Sequence, residues 1–94
     1  MKNAITLDAL RAIEAIHKQG SFAAAAKVLF KVPSALTYTV AKLESDLSVA
    51  LFDRSKKRAV LTSAGKLVLE QGHQLLLATL ALENAVQQLE TGWE

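Results

Sequence analysis

Cysteine is absent from this 94-residue chain. Disulfide frameworks and thiolate metal sites are therefore excluded, and the composition fits a reducing compartment. Proline occurs once, at position 33, and glycine four times. So few helix breakers in an Ala- and Leu-rich chain point to an all-helical or nearly all-helical fold. Aromatic residues make up only 5%, which argues against a β-sandwich. Long apolar runs are missing too. Leu75-Leu76-Leu77-Ala78 is far too short to cross a bilayer, and Glu70 and Glu83 bracket it. Met1-Lys2-Asn3 leads directly into an amphipathic pattern, not into the apolar run of a signal peptide. The expectation is one small, soluble, cytoplasmic domain with a modest core and no membrane partner.

Catalytic chemistry is equally scarce. His17 and His73 stand on different expected helices without metal-ligand spacing. Gly65 precedes Lys66, but nothing else of a phosphate-binding loop is present. No paired-carboxylate cleft is apparent. Neither an enzyme nor a cofactor or metal is expected.

What the chain does have is an uneven charge. Between Ser21 and Lys66, eight bases face three acids, a local balance of +5. The remaining segments hold three bases and six acids, a balance of −3. A basic middle between neutral or acidic ends is the outline of a polyanion-binding unit, although a solvated surface with chance clustering has the same outline.

Three helices are expected in the first half of the chain. Thr6 is placed to N-cap the first, Asp8 lies in its first turn, and Leu7, Leu10, Ile13 and Ile16 form its apolar stripe. Gly20 suits its C-terminus, and Ser21 can cap the next helix at once. Phe22, Ala25, Ala26 and Leu29 give that helix an apolar face, and it is expected to end near Phe30. Pro33 suits the first turn of a third helix. Two short helices joined by about three residues, the second amphipathic, form a helix-turn-helix pattern.

The third helix has two unlike faces. Leu36, Val40, Leu43 and Leu47 share its apolar side. Ser34, Thr37, Tyr38, Ala41 and Lys42 occupy the other, which is almost free of acid. A helix that reads duplex DNA needs this division: an apolar side to fix its angle, and an acid-free side offering hydrogen-bonding groups to base edges. Ser34 and Tyr38, four apart, project together near the N-terminal end, while Lys31 and Lys42 can reach phosphates at the margins. Plainer roles exist for each residue. Ser34 can cap, Thr37 can bond back to its own helix, and Tyr38 can be half-buried packing.

Beyond Leu47, Val49, Leu51 and Phe52 and then Ala59-Val60-Leu61 flank the polar stretch Asp53-Arg54-Ser55-Lys56-Lys57-Arg58. The pattern suggests a small β-hairpin with a basic tip, a wing beside the helix-turn-helix. Thr62 can cap a last helix running to about Thr91. Along it Leu75, Thr79, Leu82, Val86, Leu89 and Trp93 recur in steps of four and three. That is a heptad seam, which requires a partner. A second copy of the chain is the favoured partner. An intramolecular hairpin and docking on the chain's own core are the alternatives.

In order and spacing, these pieces resemble the N-terminal DNA-binding domain of LysR-type transcriptional regulators over nearly the whole chain. The matching elements are Leu7–Leu10, Gly20-Ser21-Phe22 with Ala25-Ala26 and Leu29, Pro33-Ser34-Ala35-Leu36-Thr37, Leu43-Glu44, Leu51-Phe52-Asp53-Arg54, and Leu61-Thr62-Ser63-Ala64-Gly65. The resemblance implies a mainly α, winged helix-turn-helix domain: a three-helix core plus a short hairpin over residues 1–62, then a linker and dimerisation helix over 63–94. It implies sequence-specific binding of double-stranded DNA as a homodimer. The recognition helix, about 33–47, would enter the major groove, and the wing, about 53–58, the adjacent minor groove. By position Lys31, Pro33, Ser34, Thr37, Tyr38 and Lys42, with Arg54, Lys56, Lys57 and Arg58, are the expected DNA-binding residues. The family's targets are of the T-(eleven bases)-A kind. Its members usually continue into an effector-binding domain of periplasmic-binding-protein type, so a small-molecule effector is expected only through a domain this chain lacks.

Three departures stand out. Val32 replaces the Ser or Thr common before the recognition helix. Tyr38 stands where Arg is common, so a thymine methyl or a phosphate can take the place of guanine as its partner. The wing lacks its frequent Gly. The competing class is a winged-helix or helical dimerisation module that binds protein, which predicts negligible affinity for random DNA.

Overall fold

The computed structural model describes residues 3–91. Four helices and one hairpin follow in order: α1 Leu7–Gln19, α2 Phe22–Val28, α3 Pro33–Leu47, β1 Phe52–Asp53, β2 Val60–Leu61 and α4 Ser63–Glu90. The strands pair antiparallel, with Phe52 opposite Leu61 and Asp53 opposite Val60.

Side chains fix most of the helix starts. Thr6 Oγ1 accepts from the Ala9 N–H at 3.1 Å, Ser21 Oγ from Ala24 at 3.1 Å, and Thr62 Oγ1 from Gly65 at 3.0 Å. Each pairs an amide that the first helical turn would otherwise leave free. α1 ends at Gly20, where φ is +85° and the amide returns to the Ile16 carbonyl. Only glycine adopts that backbone without penalty. A side chain there would also strike the Arg58 guanidinium.

α2 is shorter than its apolar pattern implies. The expected end near Phe30 moves back to Val28, and the link to α3 is the four residues Leu29–Val32. Backbone bonding explains this. The Phe30 amide reaches the Lys27 carbonyl at 3.2 Å and the Lys31 amide reaches Ala26 at 2.9 Å. These two bonds close a Schellman turn, with Phe30 at φ +56°. α3 then starts on Pro33, with Val32 as an N-cap that makes no side-chain bond.

The core gathers Ile13 and Ile16 of α1, Ala25 and Ala26 of α2, Leu36, Val40 and Leu43 of α3, and Leu51, Phe52 and Leu61 around the hairpin. Leu7, expected in the α1 stripe, is exposed; the buried face begins at Ala9 and Leu10. The short alanines of α2 let α1 and α3 approach closely. α4 packs its first turns on this body through Ala64, Val68 and Leu69. From Leu80 onward every described residue of α4 is exposed.

Two glycines set how closely α4 can lie. A methyl group on Gly65 would collide with the Leu51 carbonyl oxygen, and one on Gly72 would come within 2.7 Å of Leu10 Cδ2. The first obstacle is backbone and the second is a side-chain tip. Gly65→Ala should therefore lower unfolding stability by about 1–3 kcal/mol, and Gly72→Ala by less, because Leu10 can shift. Urea denaturation of the two variants side by side measures the difference.

Candidate nucleic-acid interface

The solvent side of α3 carries Pro33, Ser34, Ala35, Thr37, Tyr38, Ala41 and Lys42, all exposed. Leu36, Val40 and Leu43 lie on the opposite side, at 2% exposure or less. The division read from the sequence is thus physical. Tyr38 projects from the middle of the outward face, 66% exposed. Thr37 makes no bond to its own helix; Thr39 does so instead, to the Ala35 carbonyl at 3.0 Å. Ser34 is not the cap, since that position belongs to Val32.

Two acids occur on α3, and both are engaged. Asp46 pairs with Lys42 at 3.1 Å. The hydrogen bond and charge of Asp46 hold the Lys42 ammonium above its ordinary pKa. Lys42, expected to reach a phosphate, is thus tied to an acid on its own helix. Glu44 is turned the other way. Its Oε2 accepts from the Leu51 N–H at 2.7 Å and the Phe52 N–H at 3.2 Å, and its Oε1 lies 4.0 Å from Arg54 Nη2. One carboxylate therefore joins α3 to the start of β1.

The wing is fastened at its base by rings. Phe22, at the start of α2, meets Phe52 edge to face, with centroids 5.6 Å apart at 67°. The Arg54 guanidinium sits 4.4 Å from the centre of the Phe22 ring, within range of a cation–π contact. Arg54, expected with the wing's DNA-binding bases, is thereby held against the body of the domain. Farther along, the Ala59 amide donates to the Gly20 carbonyl at 3.2 Å, and Arg58 lies over the same glycine. Lys56 and Lys57 are left exposed at the tip.

The missing wing glycine has a substitute. Asp53 Oδ1 accepts from the Ser55 amide at 2.9 Å and its hydroxyl at 2.6 Å, closing an Asx turn. Those two bonds, helped by Lys56, hold the Asp53 carboxyl below its ordinary pKa. Thr62 ties the hairpin to α4: its hydroxyl donates to the Ala50 carbonyl at 2.6 Å and its amide to Leu51 at 2.9 Å.

On α4, Leu75, Leu82, Val86 and Leu89 of the heptad seam are exposed and Thr79 is half-buried. Trp93, the last expected seam residue, lies outside the described residues. A groove of about 400 Å³ runs beside the seam, with Ile5, Leu7 and Leu10 on one wall and Leu75, Ala78 and Leu82 on the other. Among the described residues no group of three acids or histidines is placed to hold a metal. His73 Nδ1 instead meets Glu14 Oε2 at 2.6 Å, joining α4 to α1. No described helix is long and apolar enough to cross a membrane.

Residues 7–66 match the family profile described as bacterial regulatory helix-turn-helix protein, lysR family. The chain belongs to the LysR family. Among curated LysR-type relatives it is 50% identical over 93 residues to the probable HTH-type transcriptional regulator YhaJ of Escherichia coli (strain K12). It is 51% identical over 88 residues to the uncharacterized HTH-type transcriptional regulator YeeY of the same strain. These alignments cover 99% and 94% of this chain, but 31% and 28% of the relatives. The chain thus spans under a third of the length of the curated relatives it matches. Of solved structures, the DNA-binding domain of CbnR in complex with DNA superposes with a TM-score of 0.85 at 29% identity, covering 92% of this chain and 99% of that one. The BenM DNA-binding domain with catB site 1 DNA gives 0.90 at 23% identity, covering 94% and 95%. The winged helix-turn-helix fold of LysR DNA-binding domains is therefore the fold of this chain.

Glu44 entered the sequence reading only as part of the family match, without a structural role. A signal was available: Glu44 falls four residues after Val40, on the inward flank of α3. The ring stack of Phe22 and Phe52 under Arg54 had no local signal, because 30 residues separate its members. Glu44→Ala leaves two amides at the edge of the core without an acceptor and should cost about 1–3 kcal/mol. Hydrogen exchange at Leu51 and Phe52 should accelerate by more than at the α1 amides.

Proposed function

We propose that this chain binds double-stranded DNA sequence-specifically as a homodimer and so regulates transcription. α3 enters the major groove and the hairpin tip lies along the adjacent minor groove. One observation carries the reading: both acids of α3 are engaged by groups of the protein, so its outward face carries no unpaired acid. Phosphates repel carboxylates, and a helix face free of them is what a groove accepts. The DNA complex solved for the similar CbnR domain supports DNA binding.

The roles divide by position. Pro33, Ser34, Thr37 and Tyr38 face base edges, with Tyr38 suited to a thymine methyl or a phosphate. Lys31 lies in the link just before the recognition helix, where phosphates pass. Lys56 and Lys57 form the free tip of the wing. Arg54 and Arg58 contribute charge from fixed positions at its base, and Lys42 must leave Asp46 to reach DNA. The target is an inverted repeat of the T-(eleven bases)-A kind, one half per protomer. A role on DNA places the protein in the cytoplasm. Control by a small molecule belongs to whatever accompanies this domain in the longer relatives.

DNA affinity should fall steeply with salt. Lys57→Ala should weaken all sequences alike and reduce the salt slope by about 1. Tyr38→Ala should cost about 1–3 kcal/mol at a subset of base positions. Selection from a random DNA pool, followed by gel-shift salt titration, measures all three. Negligible affinity for any duplex would instead favour the protein-binding module, and an unchanged sequence preference in Tyr38→Ala would move the reading face elsewhere.

The dimer rests on the seam. The groove lined by Leu7, Leu10, Leu75 and Leu82 is apolar, and the distal residues Val86 and Leu89 of a second copy are of the kind to fill it. Leu82→Asp together with Leu89→Asp should yield a monomer by light scattering at micromolar concentration. Melting of the helix-turn-helix body should change little, because both side chains are mostly exposed, at 65% and 75%. A dimer that survived both charges would remove the seam as the interface.

A further inference from the structure

The outward face of α3 is distinguished by what it omits. The helix Pro33–Leu47 contains no Arg, Asn or Gln. Those side chains make paired hydrogen bonds to a single base, Arg to guanine and Asn or Gln to adenine. Lys42 is the one cation of this helix, and Asp46 holds it at 3.1 Å. What remains on the exposed row is Ser34, Ala35, Thr37, Tyr38 and Ala41. The row offers hydroxyls, methyl groups and the Tyr38 ring. The hydroxyls of Ser34, Thr37 and Tyr38 meet no partner among the described residues, whereas that of Thr39 bonds the Ala35 carbonyl.

Such a face separates the base pairs unevenly. In the major groove thymine shows a carbonyl acceptor, O4, and a C5 methyl group, whereas cytosine shows an amino donor, N4, and no methyl. A hydroxyl both donates and accepts, so it serves O4 and N4 alike. Across the pair, adenine and guanine share the N7 acceptor. They differ at the neighbouring group, an amine in adenine and a carbonyl in guanine. A hydroxyl again serves both. The methyl group is the difference that remains. Ala41, the γ-methyl of Thr37 and the ring of Tyr38 are apolar surface of the kind that packs against it.

We infer that this face reads thymine through its methyl group and accepts 5-methylcytosine opposite guanine at the same positions. Unmethylated cytosine is rejected there. Methylation of cytosine thus turns a poor site into a good one, so the chain responds to the chemical state of DNA as well as to its sequence. The inference rests on the DNA-binding reading above and extends it from Tyr38 to the whole exposed row of α3.

The test uses the chain on a duplex selected from a random pool, with affinity measured by gel shift at one salt concentration. Each thymine of a half-site is replaced in turn by uracil, which lacks only the methyl group. One or more positions per half-site should weaken binding by about fourfold, the worth of one buried methyl. At those positions T·A is then exchanged for C·G and for 5-methylcytosine·G. The C·G duplex should bind about fourfold or more weaker, and the methylated one within about twofold of T·A. Thr37→Ser keeps the hydroxyl and removes the methyl, and Tyr38→Ala removes the ring. Both side chains are exposed, and an unchanged melting temperature verifies that the variants fold. At least one variant should lose the uracil penalty at a position where the parent shows it. A parent indifferent to uracil at every thymine would overturn the inference, and so would 5-methylcytosine·G binding as weakly as C·G. A penalty that survives in both variants would place the methyl contact on other residues and overturn it as well. A parent that binds no duplex would bring down the DNA-binding reading and this inference together, whereas the other outcomes leave that reading standing.

Discussion

The carboxylate of Glu44 holds together the two parts of this domain that must be placed relative to each other. A recognition helix and a wing are useful only at a fixed mutual angle, because the grooves they enter have fixed geometry. Two two-residue strands cannot hold that angle on their own. Glu44 does so by accepting from two consecutive amides at the start of β1, while its other oxygen faces Arg54. A hydrogen bond to an ionised acceptor is stronger than a neutral one, and a bond shielded from water is stronger again. The ring of Phe22 then takes Arg54 on its face and Phe52 at its edge. Three elements thus meet around one acid, and its position decides where the basic tip points.

Much of this is legible in the sequence. Thr6, Ser21, Gly20 and Thr62 mark helix ends because capping is local chemistry, decided within three or four residues. The two faces of α3 and the heptad seam of α4 are equally local, since helical periodicity alone produces them. What escaped has a different character. The end of α2 was misplaced because Phe30 takes up a left-handed backbone that its residue type does not advertise. Arg54 was expected as a DNA-binding base of the wing, and its place against a ring far away in the chain had no local signal. Lys42 was read only as a phosphate contact, and its ion pair went unread although Asp46 stands one turn away, at a spacing that commonly forms such pairs.

α4 has two environments along one helix. Its first turns are short-sided where Gly65 and Gly72 let them sink onto Leu51 and Leu10, and they belong to the body of the domain. Its later turns leave that body with an apolar seam facing outward. The same helix thus completes the core of one unit and offers itself to another. Stability of the body and association of the unit are separable as a result, because few residues take part in both.

The continuity of α4 has a mechanical meaning. Twenty-eight residues without a break make a rod of about 42 Å at 1.5 Å per residue. Its two described glycines are clamped against neighbours, so neither is a joint. Thr62 welds its near end to the hairpin through two hydrogen bonds. Such a rod carries rotation without absorbing it. A small turn imposed at its far end arrives undiminished at the wing and the recognition helix. It also acts as a ruler, since each residue added or removed would swing the domain by about 100° about the axis and shift it by about 1.5 Å.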